Sequence, residues 1–292
     1  MSRKAIVLFC TIALALSWGI QFAGLQLFGI ASPKITPFLL VGMWSPTLLA
    51  LAFILLHRPA RKGVVWKLGN PLYLPVGITV ETLTAFAIVG GFVALGWGVS
   101  GWFDFSQAGV AISGGPWVLG KGMQGWPLFI ANVAATAVAY SIFNLVATVG
   151  EEFAWRGFLQ GHMTRQLGVR WGIFILGVFW SFWHLPVLLA GYNFPEHPVL
   201  GAFVLFPLQT VGASFFLGWL TIRSRSFWPA ALTHAATNSI QEGVISNLHL
   251  NAPQLYEDLA RTGLVMLVGL ICWAALAPKR TAARELESAA VA

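Results

Sequence analysis

Long runs of apolar residues recur along this 292-residue chain, and they constrain its fold more than any other feature. A helix needs roughly 20 mostly apolar residues to cross the hydrocarbon core of a bilayer. Eight segments approach or exceed that length, namely residues 5–29, 38–56, 74–99, 127–160, 172–190, 199–222, 228–246 and 259–277. Because backbone groups in hydrocarbon must be satisfied internally, and because these runs are too long for barrel strands, the sequence predicts an all-α, polytopic membrane helix bundle of about eight transmembrane helices.

The composition is that of a chain that faces lipid rather than water. Charged residues make up 9% of the sequence, whereas soluble domains carry roughly 25%. The net charge of +7 does not indicate a nucleic-acid partner, because the Lys and Arg residues lie in short loops between the apolar segments. Residues 1–292 are therefore expected to form a single membrane domain whose surroundings are the lipid bilayer.

The basic residues divide unequally between the two sides of the predicted bundle. With the N-terminus in the cytoplasm, thirteen of them fall in cytoplasmic segments and three in outer segments. The cytoplasmic set is Arg3, Lys4, Arg58, Arg61, Lys62, Lys67, Arg165, Arg170, Arg223, Arg225, Lys279, Arg280 and Arg284, and the outer set is Lys34, Lys121 and Arg261. A miscounted span would invert every later loop, so this positive-inside bias favours eight spans in the cytoplasmic membrane with both termini in the cytoplasm.

The fourth apolar segment carries charged residues at a depth where charge is costly. Glu152 and Arg156 are four residues apart, so they share a helix face and are expected to pair. Glu151 lies about 100° further round the helix and is left without that partner. The apolar residues around it predict that Glu151 is buried, in a setting suited to a general base near neutral pH.

Two later segments each carry a histidine. His184 lies four residues after Trp180 and two residues before Pro186, which predicts a kink at that level. His234 and Asn238 are again four residues apart and project from one helix face. Each pattern, taken alone, also fits a polar packing contact between helices.

Depth brings these groups together. Counting about 1.5 Å per residue from the cytoplasmic ends places Glu151, His184 and His234 in one layer of the membrane. With Asn238 they would meet in one cavity, which we expect to open to the cytoplasm. Such a set can activate water and stabilise the oxyanion of peptide hydrolysis without a cofactor. Glu151, His184 and His234 are also candidate ligands for Zn²⁺, so a metal-dependent mechanism stays open.

Three ordered motifs then carry a family resemblance: EExxxR, an aromatic residue followed four positions later by His, and HxxxN. They resemble those of the CPBP family, which comprises type II CAAX prenyl proteases and bacteriocin-processing or self-immunity proteins. The resemblance covers roughly residues 127–246, the expected catalytic core, and leaves residues 1–126 and 247–292 as flanking helices and tails. Glu152 and Arg156 occupy the supporting positions of the first motif.

The resemblance also implies roles for single residues. In that family the first glutamate and the first histidine are taken to activate water, and these fall on Glu151 and His184. The last motif is taken to form the oxyanion site, here His234 and Asn238. The implied substrate is a protein or peptide, prenylated in the CAAX branch. The family usually has Phe at the position of Trp180, so the larger aromatic keeps a packing role but alters the shape of the pocket.

Two other functions stay open. A transporter also buries acids and histidines, although such carriers tend to show an internal repeat that this sequence lacks. A non-catalytic immunity or scaffold protein would keep the fold without turnover. The sequence assigns no function to Glu81, which can pair with a neighbouring helix, or to Glu242. The histidines at segment boundaries are expected to be solvated, namely His57, His162, His197 and His249.

Overall fold

Helices dominate the protein in a computed structural model, which describes residues 1–97, 99–241, 249–250 and 253–276. The α-helices are α1 (Arg3–Phe28), α2 (Thr36–Leu56), α3 (Leu74–Ala94), α4 (Trp126–Glu152), α5 (Gln160–Leu167), α6 (Val169–Trp183), α7 (Leu185–Leu189), α8 (Pro198–Leu200), α9 (Phe206–Ser224), α10 (Trp228–Ala236) and α11 (Gln254–Ala275). Three π-helical segments join or extend them, at Phe153–Leu159, Gly201–Leu205 and Thr237–Gln241. The mostly helical class therefore agrees with the prediction.

The glycine-rich connection between α3 and α4 contains strands, which the pattern of apolar runs did not predict. Strands β2 (Phe103–Phe105), β3 (Gly109–Ile112) and β4 (Gly122–Gly125) form an antiparallel sheet in that order, and β1 (Val99–Ser100) pairs with β5 (His249–Leu250). The Phe103 ring lies 5.2 Å from Trp117 and 5.7 Å from Phe129, measured between centroids. These edge-to-face contacts anchor the small sheet on the first turn of α4.

Six helical stretches in the described part of the chain are long and apolar enough to cross a membrane. They are Arg3–Phe28, Pro33–Leu56, Pro71–Ala94, Trp126–Leu167, Pro198–Ser224 and Gln254–Ala275. The predicted fifth and seventh spans are shorter, because α6 ends after 15 residues and α10 after 9. The count of eight and the cytoplasmic termini thus stay predictions. Glu242, Lys279, Arg280 and Arg284 lie outside the described residues.

Pro186 explains why the helix breaks at His184, between α6 and α7. Proline has no backbone N–H, so the carbonyl four residues earlier, that of Phe182, loses its helical donor. Helix α1 replaces it: the Trp18 indole donates to the Phe182 carbonyl at 3.1 Å, and the Gln21 amide donates to the Trp183 carbonyl at 3.1 Å. The break predicted from Pro186 is therefore stabilised by a helix far away in sequence.

His162 is buried, so the expectation that it is solvated was wrong. Helix α5 continues to Leu167 and lays His162 against the connection that follows α2. Its Nε2 lies 3.1 Å from the Ala60 carbonyl, and its Nδ1 lies 2.8 Å from Arg165. The fourth apolar segment was expected to end at residue 160. The helical stretch that begins with α4 instead continues to Leu167, and this places His162 inside the protein.

Close packing of α3 on α10 predicts a steric effect at Gly77. A methyl group there would overlap the Thr233 side chain, whereas one at Gly90, on the same helix, meets nothing within 4 Å. We expect Gly77→Ala to destabilise the fold by about 1–3 kcal/mol through overpacking. Gly90→Ala, the matched control, should leave stability unchanged or slightly raised. Thermal unfolding in detergent measures both, and equal midpoints would contradict the close approach.

Candidate active site

Glu151 lies near the end of α4 with its carboxylate held by two indoles. The Trp180 Nε1–H donates to Glu151 Oε2 at 2.8 Å, and the Trp155 Nε1–H approaches the same oxygen at 3.4 Å. The residue is 1% exposed, yet it lines an internal cavity. Fixed donors thus orient one carboxylate oxygen of a buried acid, while the side chain faces a space that can hold a reacting molecule.

Glu152 does not line that cavity, and its carboxylate binds Arg156 and His234 instead. Its Oε1 accepts from Arg156 Nη1 at 2.9 Å and lies 2.9 Å from His234 Nδ1. Arg156 also donates to the Ser214 hydroxyl at 3.0 Å. The expected pairing of Glu152 with Arg156 is present. The bonds to His234 and Ser214 were not foreseen, because nothing in the sequence relates residue 152 to positions about 60 and 80 residues later.

Trp180 connects the two glutamates. The Arg156 guanidinium lies 4.4 Å from the centre of its ring, in cation–π geometry. The His234 ring meets it edge-on at 5.2 Å between centroids. Sequence reasoning gave Trp180 a packing role only, and its bond to Glu151 was missed. A Phe would keep the stacking but has no N–H to donate.

His184 occupies the break between α6 and α7, where the backbone leaves its side chain free to face the cavity. Its Nδ1 lies 3.0 Å from the Trp180 carbonyl. Since a carbonyl only accepts, Nδ1 carries the proton and Nε2 is the nitrogen left for a ligand. The ring is wedged between Trp183 and Phe206, at 4.5 and 4.9 Å between centroids. These contacts fix the imidazole in place.

His234 and Asn238 reach the same cavity from α10 and the π-helical segment that follows it. Because Nδ1 of His234 points to Glu152, Nε2 is its free ring nitrogen. The wider π-helical turn shifts side chains relative to an α-helix, and such turns are frequent at functional sites. The first π-helical segment begins directly after Glu152. Two of the three predicted motifs therefore sit on helical irregularities that the residue spacing did not reveal.

All four candidate residues line one cavity of about 160 Å³. The structure also brings in residues that sequence reasoning left out, from the first three helices and from α9 and α11. They include Gln21, Met43, Glu81, Gln209 and Arg261. Glu81, to which no function was assigned, is thus a wall residue of the cavity. No motif marks these positions, and only the packing of distant helices places them beside Glu151.

The zinc site considered from the sequence does not match this arrangement. Among the described residues, no three His, Cys, Asp or Glu side chains are grouped so that they could hold a metal ion. We therefore derive no chemistry through a metal.

Comparison with known proteins identifies the segment that carries the site. Residues 132–240 match the family model described as Type II CAAX prenyl endopeptidase Rce1-like. The matched segment contains Glu151, His184, His234 and Asn238 and lies inside the predicted core, residues 127–246. A search of curated proteins finds no match to the chain.

The buried pair beneath the cavity predicts a large stability effect. Arg156→Met would leave the Glu152 carboxylate, which is fully buried, without its guanidinium partner. Removing one member of a buried ion pair costs about 3–5 kcal/mol. Arg223→Met, an exposed arginine at the end of α9, is the matched control and should change little. The unfolding midpoint of each purified variant is the measurement, and an Arg156→Met protein as stable as the control would refute the pairing.

Proposed function

Since the chain carries an Rce1-like type II CAAX prenyl endopeptidase domain at residues 132–240, we propose that it is an intramembrane endopeptidase that uses Glu151 to activate water. The observation that supports this most strongly is the environment of Glu151. It is a buried carboxylate, oriented by the Trp180 indole, that faces a cavity shared with two imidazoles and a carboxamide. Hydrolysis of an amide needs a base, a proton donor and an oxyanion site in one place.

In the proposed first step, Glu151 removes a proton from a water molecule. The water also bonds to Nε2 of His184, which is free because Nδ1 donates to the Trp180 carbonyl. The resulting hydroxide attacks the carbonyl carbon of the scissile peptide bond. A new C–O bond forms, and the pair of electrons from the C=O bond moves onto oxygen. The Trp180 indole keeps the carboxylate of Glu151 in one orientation during this transfer.

The oxyanion then needs donors, and His234 and Asn238 are proposed to supply them. Nδ1 of His234 is committed to Glu152, so Nε2 can donate to the oxyanion when the ring carries both protons. The Asn238 amide provides a second N–H. When the intermediate collapses, the C–N bond breaks and the proton held by Glu151 passes to the leaving amine. The reaction as proposed consumes one water molecule, releases two peptides and uses no cofactor.

The proposed substrates are membrane-associated proteins or peptides, including prenylated CAAX-type chains. The family supports a protein or peptide substrate, and the exposed apolar residues of the helices support an integral membrane location. A substrate that reaches a cavity between membrane helices has to be held at the bilayer, and a lipid anchor or an apolar segment does this.

Replacement of the proposed base gives the most direct test. Glu151→Gln keeps the size of the side chain but cannot take up a proton from water, so peptide cleavage should fall by about 10²–10⁴-fold. Glu196→Gln, which changes an exposed glutamate in the connection before α8, is the matched control and should retain activity. Cleavage of a fluorogenic membrane peptide by purified protein measures both. Full turnover by Glu151→Gln would disprove the proposed role.

The indole bond to Glu151 predicts a smaller effect. Trp180→Phe removes one hydrogen bond to a charged group, worth about 1.5–3 kcal/mol, so kcat should drop roughly 10–100-fold with little change in KM. Trp228→Phe also deletes an indole donor, one bonded to the Trp66 carbonyl at the surface, and is the control. A kcat of Trp180→Phe equal to that of the control would show that the bond does not aid the reaction.

Chelation separates the proposed mechanism from a metalloprotease. If Glu151 and His184 act directly on water, exhaustive treatment with a zinc chelator should leave the rate unchanged, and added Zn²⁺ should not raise it. Loss of activity that zinc restores would instead favour a metal-dependent reaction.

A transporter would be recognised differently, by substrate flux in liposomes without any cleavage. A non-catalytic immunity protein would keep its phenotype in the Glu151→Gln variant.

A further inference from the structure

Arg261 is a charged residue within an apolar helix. It belongs to the Gln254–Ala275 stretch, which is long and apolar enough to cross a membrane. Only 12% of its side chain is exposed, and it lines the cavity beside Glu151. The sequence predicts Arg261 in an outer segment and gives it no part in the site. Because charge inside a membrane helix is costly, a charged side chain that faces a cavity there calls for a functional explanation.

The guanidinium of Arg261 has few partners for a buried cation. Within the described part of the chain its ion pair is with Asp258, whose Oδ1 lies 3.7 Å from Nη2, too far for a hydrogen bond. Asp258 Oδ1 and Arg261 Nε are both buried without a hydrogen-bond partner. Arg156, in contrast, donates to Glu152 at 2.9 Å and to Ser214 at 3.0 Å. Since unpaired donors on a buried cation are costly, this contrast indicates that Arg261 does more than hold helices together.

The chemistry of the cavity wall favours an anion at Arg261. Among the described residues that line the cavity, it is the only lysine or arginine. The acids of the same lining, Glu81 and Glu151, are not ion-paired with Arg261 in the described part of the chain. A guanidinium presents five N–H donors in a rigid planar fork, which matches the two oxygens of a carboxylate. The group that suits this position is therefore a carboxylate that arrives with the substrate.

Contacts between α9 and α11 fix the position of Arg261. The Gln209 amide, which also lines the cavity, donates to the hydroxyl of Thr262 at 2.8 Å. Further along the same two helices the backbones approach closely, since a methyl group at Gly269 would overlap the backbone of Gly212. A residue held on a rigid helix in this way can act as a binding group without a cost for ordering its backbone.

A chain of ring contacts leads from Arg261 to the reacting groups. The guanidinium lies 5.9 Å from the centre of the Phe194 ring. Phe194 lies 6.3 Å from Phe206, and Phe206 lies 4.9 Å from His184, both between centroids. The guanidinium is therefore at most about 17 Å from the His184 ring, the length of about five extended residues. A peptide bond held beside His184 can thus have a carboxylate of the same substrate within reach of Arg261.

We propose that Arg261 is an anion subsite of the candidate active site, where it binds a substrate carboxylate that lies within about five residues of the scissile bond. This carboxylate is either the C-terminus of the peptide or an acidic side chain, since both present the same two oxygens. The proposal rests on the proposed function and adds a charge requirement to its substrates. A lipid anchor or an apolar segment would hold the substrate at the bilayer, and Arg261 would set which peptide bond lies beside Glu151.

Peptide binding tests the proposal without requiring cleavage. The probes are three forms of one fluorescent membrane peptide that has no other acidic group: a free C-terminal carboxylate, a C-terminal carboxamide, and a carboxamide whose last residue is Glu. Fluorescence anisotropy in detergent measures their affinities in the Glu151→Gln background, so that hydrolysis does not consume the peptide. Arg261→Gln and Arg261→Lys are then added to that background. Arg223→Gln changes an exposed arginine outside the cavity lining and is the matched control.

We expect the free acid to bind roughly 10–100-fold more tightly than the plain carboxamide, through charge-assisted hydrogen bonds. Arg261→Gln should abolish this preference and leave the affinity for the carboxamide unchanged, which shows that the cavity is intact. Arg261→Lys should keep part of the preference, because an ammonium keeps the charge but not the fork. Arg223→Gln should keep all of it. A Glu-containing carboxamide that binds like the free acid assigns the subsite to acidic side chains, and one that binds like the plain carboxamide assigns it to the C-terminus.

Equal affinity for the free acid and the carboxamide, or a preference that survives Arg261→Gln, would overturn the proposal. If Arg261→Gln does not fold, Arg261→Lys decides the matter, and an undiminished preference in that variant would count against the guanidinium. The proposed function is tested separately, by cleavage. A protein that cleaves both peptide forms equally keeps the proposed function and loses the subsite, whereas a carboxylate preference that depends on Arg261 without any cleavage does the reverse.

Discussion

The site depends on one buried electrostatic cluster, in which Glu152 accepts bonds from both Arg156 and His234. A carboxylate and a guanidinium removed from water are costly unless each is paired and hydrogen-bonded. Their mutual neutralisation makes it possible to keep charge on a helix that crosses lipid. The same cluster fixes the His234 ring, since its Nδ1 is directed to Glu152. The carboxylate of the Glu152–Arg156 ion pair thus determines which ring nitrogen of His234, on α10, is left for the cavity.

Trp180 couples this cluster to Glu151 without sharing its charge. Its ring accepts the Arg156 cation on one face, and its indole N–H donates to the adjacent acid. Two consecutive glutamates therefore experience different surroundings: Glu152 is paired with Arg156 and bonded to His234, and Glu151 is oriented by neutral donors beside the cavity. Because their environments differ, the EExxxR motif supplies both a structural carboxylate, Glu152, and a candidate reactive carboxylate, Glu151.

Irregular helices position the rest of the site. The break that Pro186 imposes puts His184 at a helix end, and Trp18 and Gln21 of α1 satisfy the carbonyls that the break exposes. π-helical turns follow Glu152 and contain Asn238. In lipid, such departures from the α-helix are tolerated only where other protein groups satisfy the backbone. The first helices of the chain are therefore part of the site's architecture, although they carry none of the three motifs.

The sequence by itself determined the helical membrane class, the pairing of Glu152 with Arg156, the break near His184 and the set of polar residues that line one cavity. These follow from local rules: the length of apolar runs, spacing of four residues along a helix, and the missing N–H of proline. Only the tertiary structure decided that Glu152 also holds His234, that Trp180 is a donor to Glu151 and that Glu81 lines the cavity. Those features arise where helices distant in sequence touch, and no periodicity within a single helix records which neighbour it will meet.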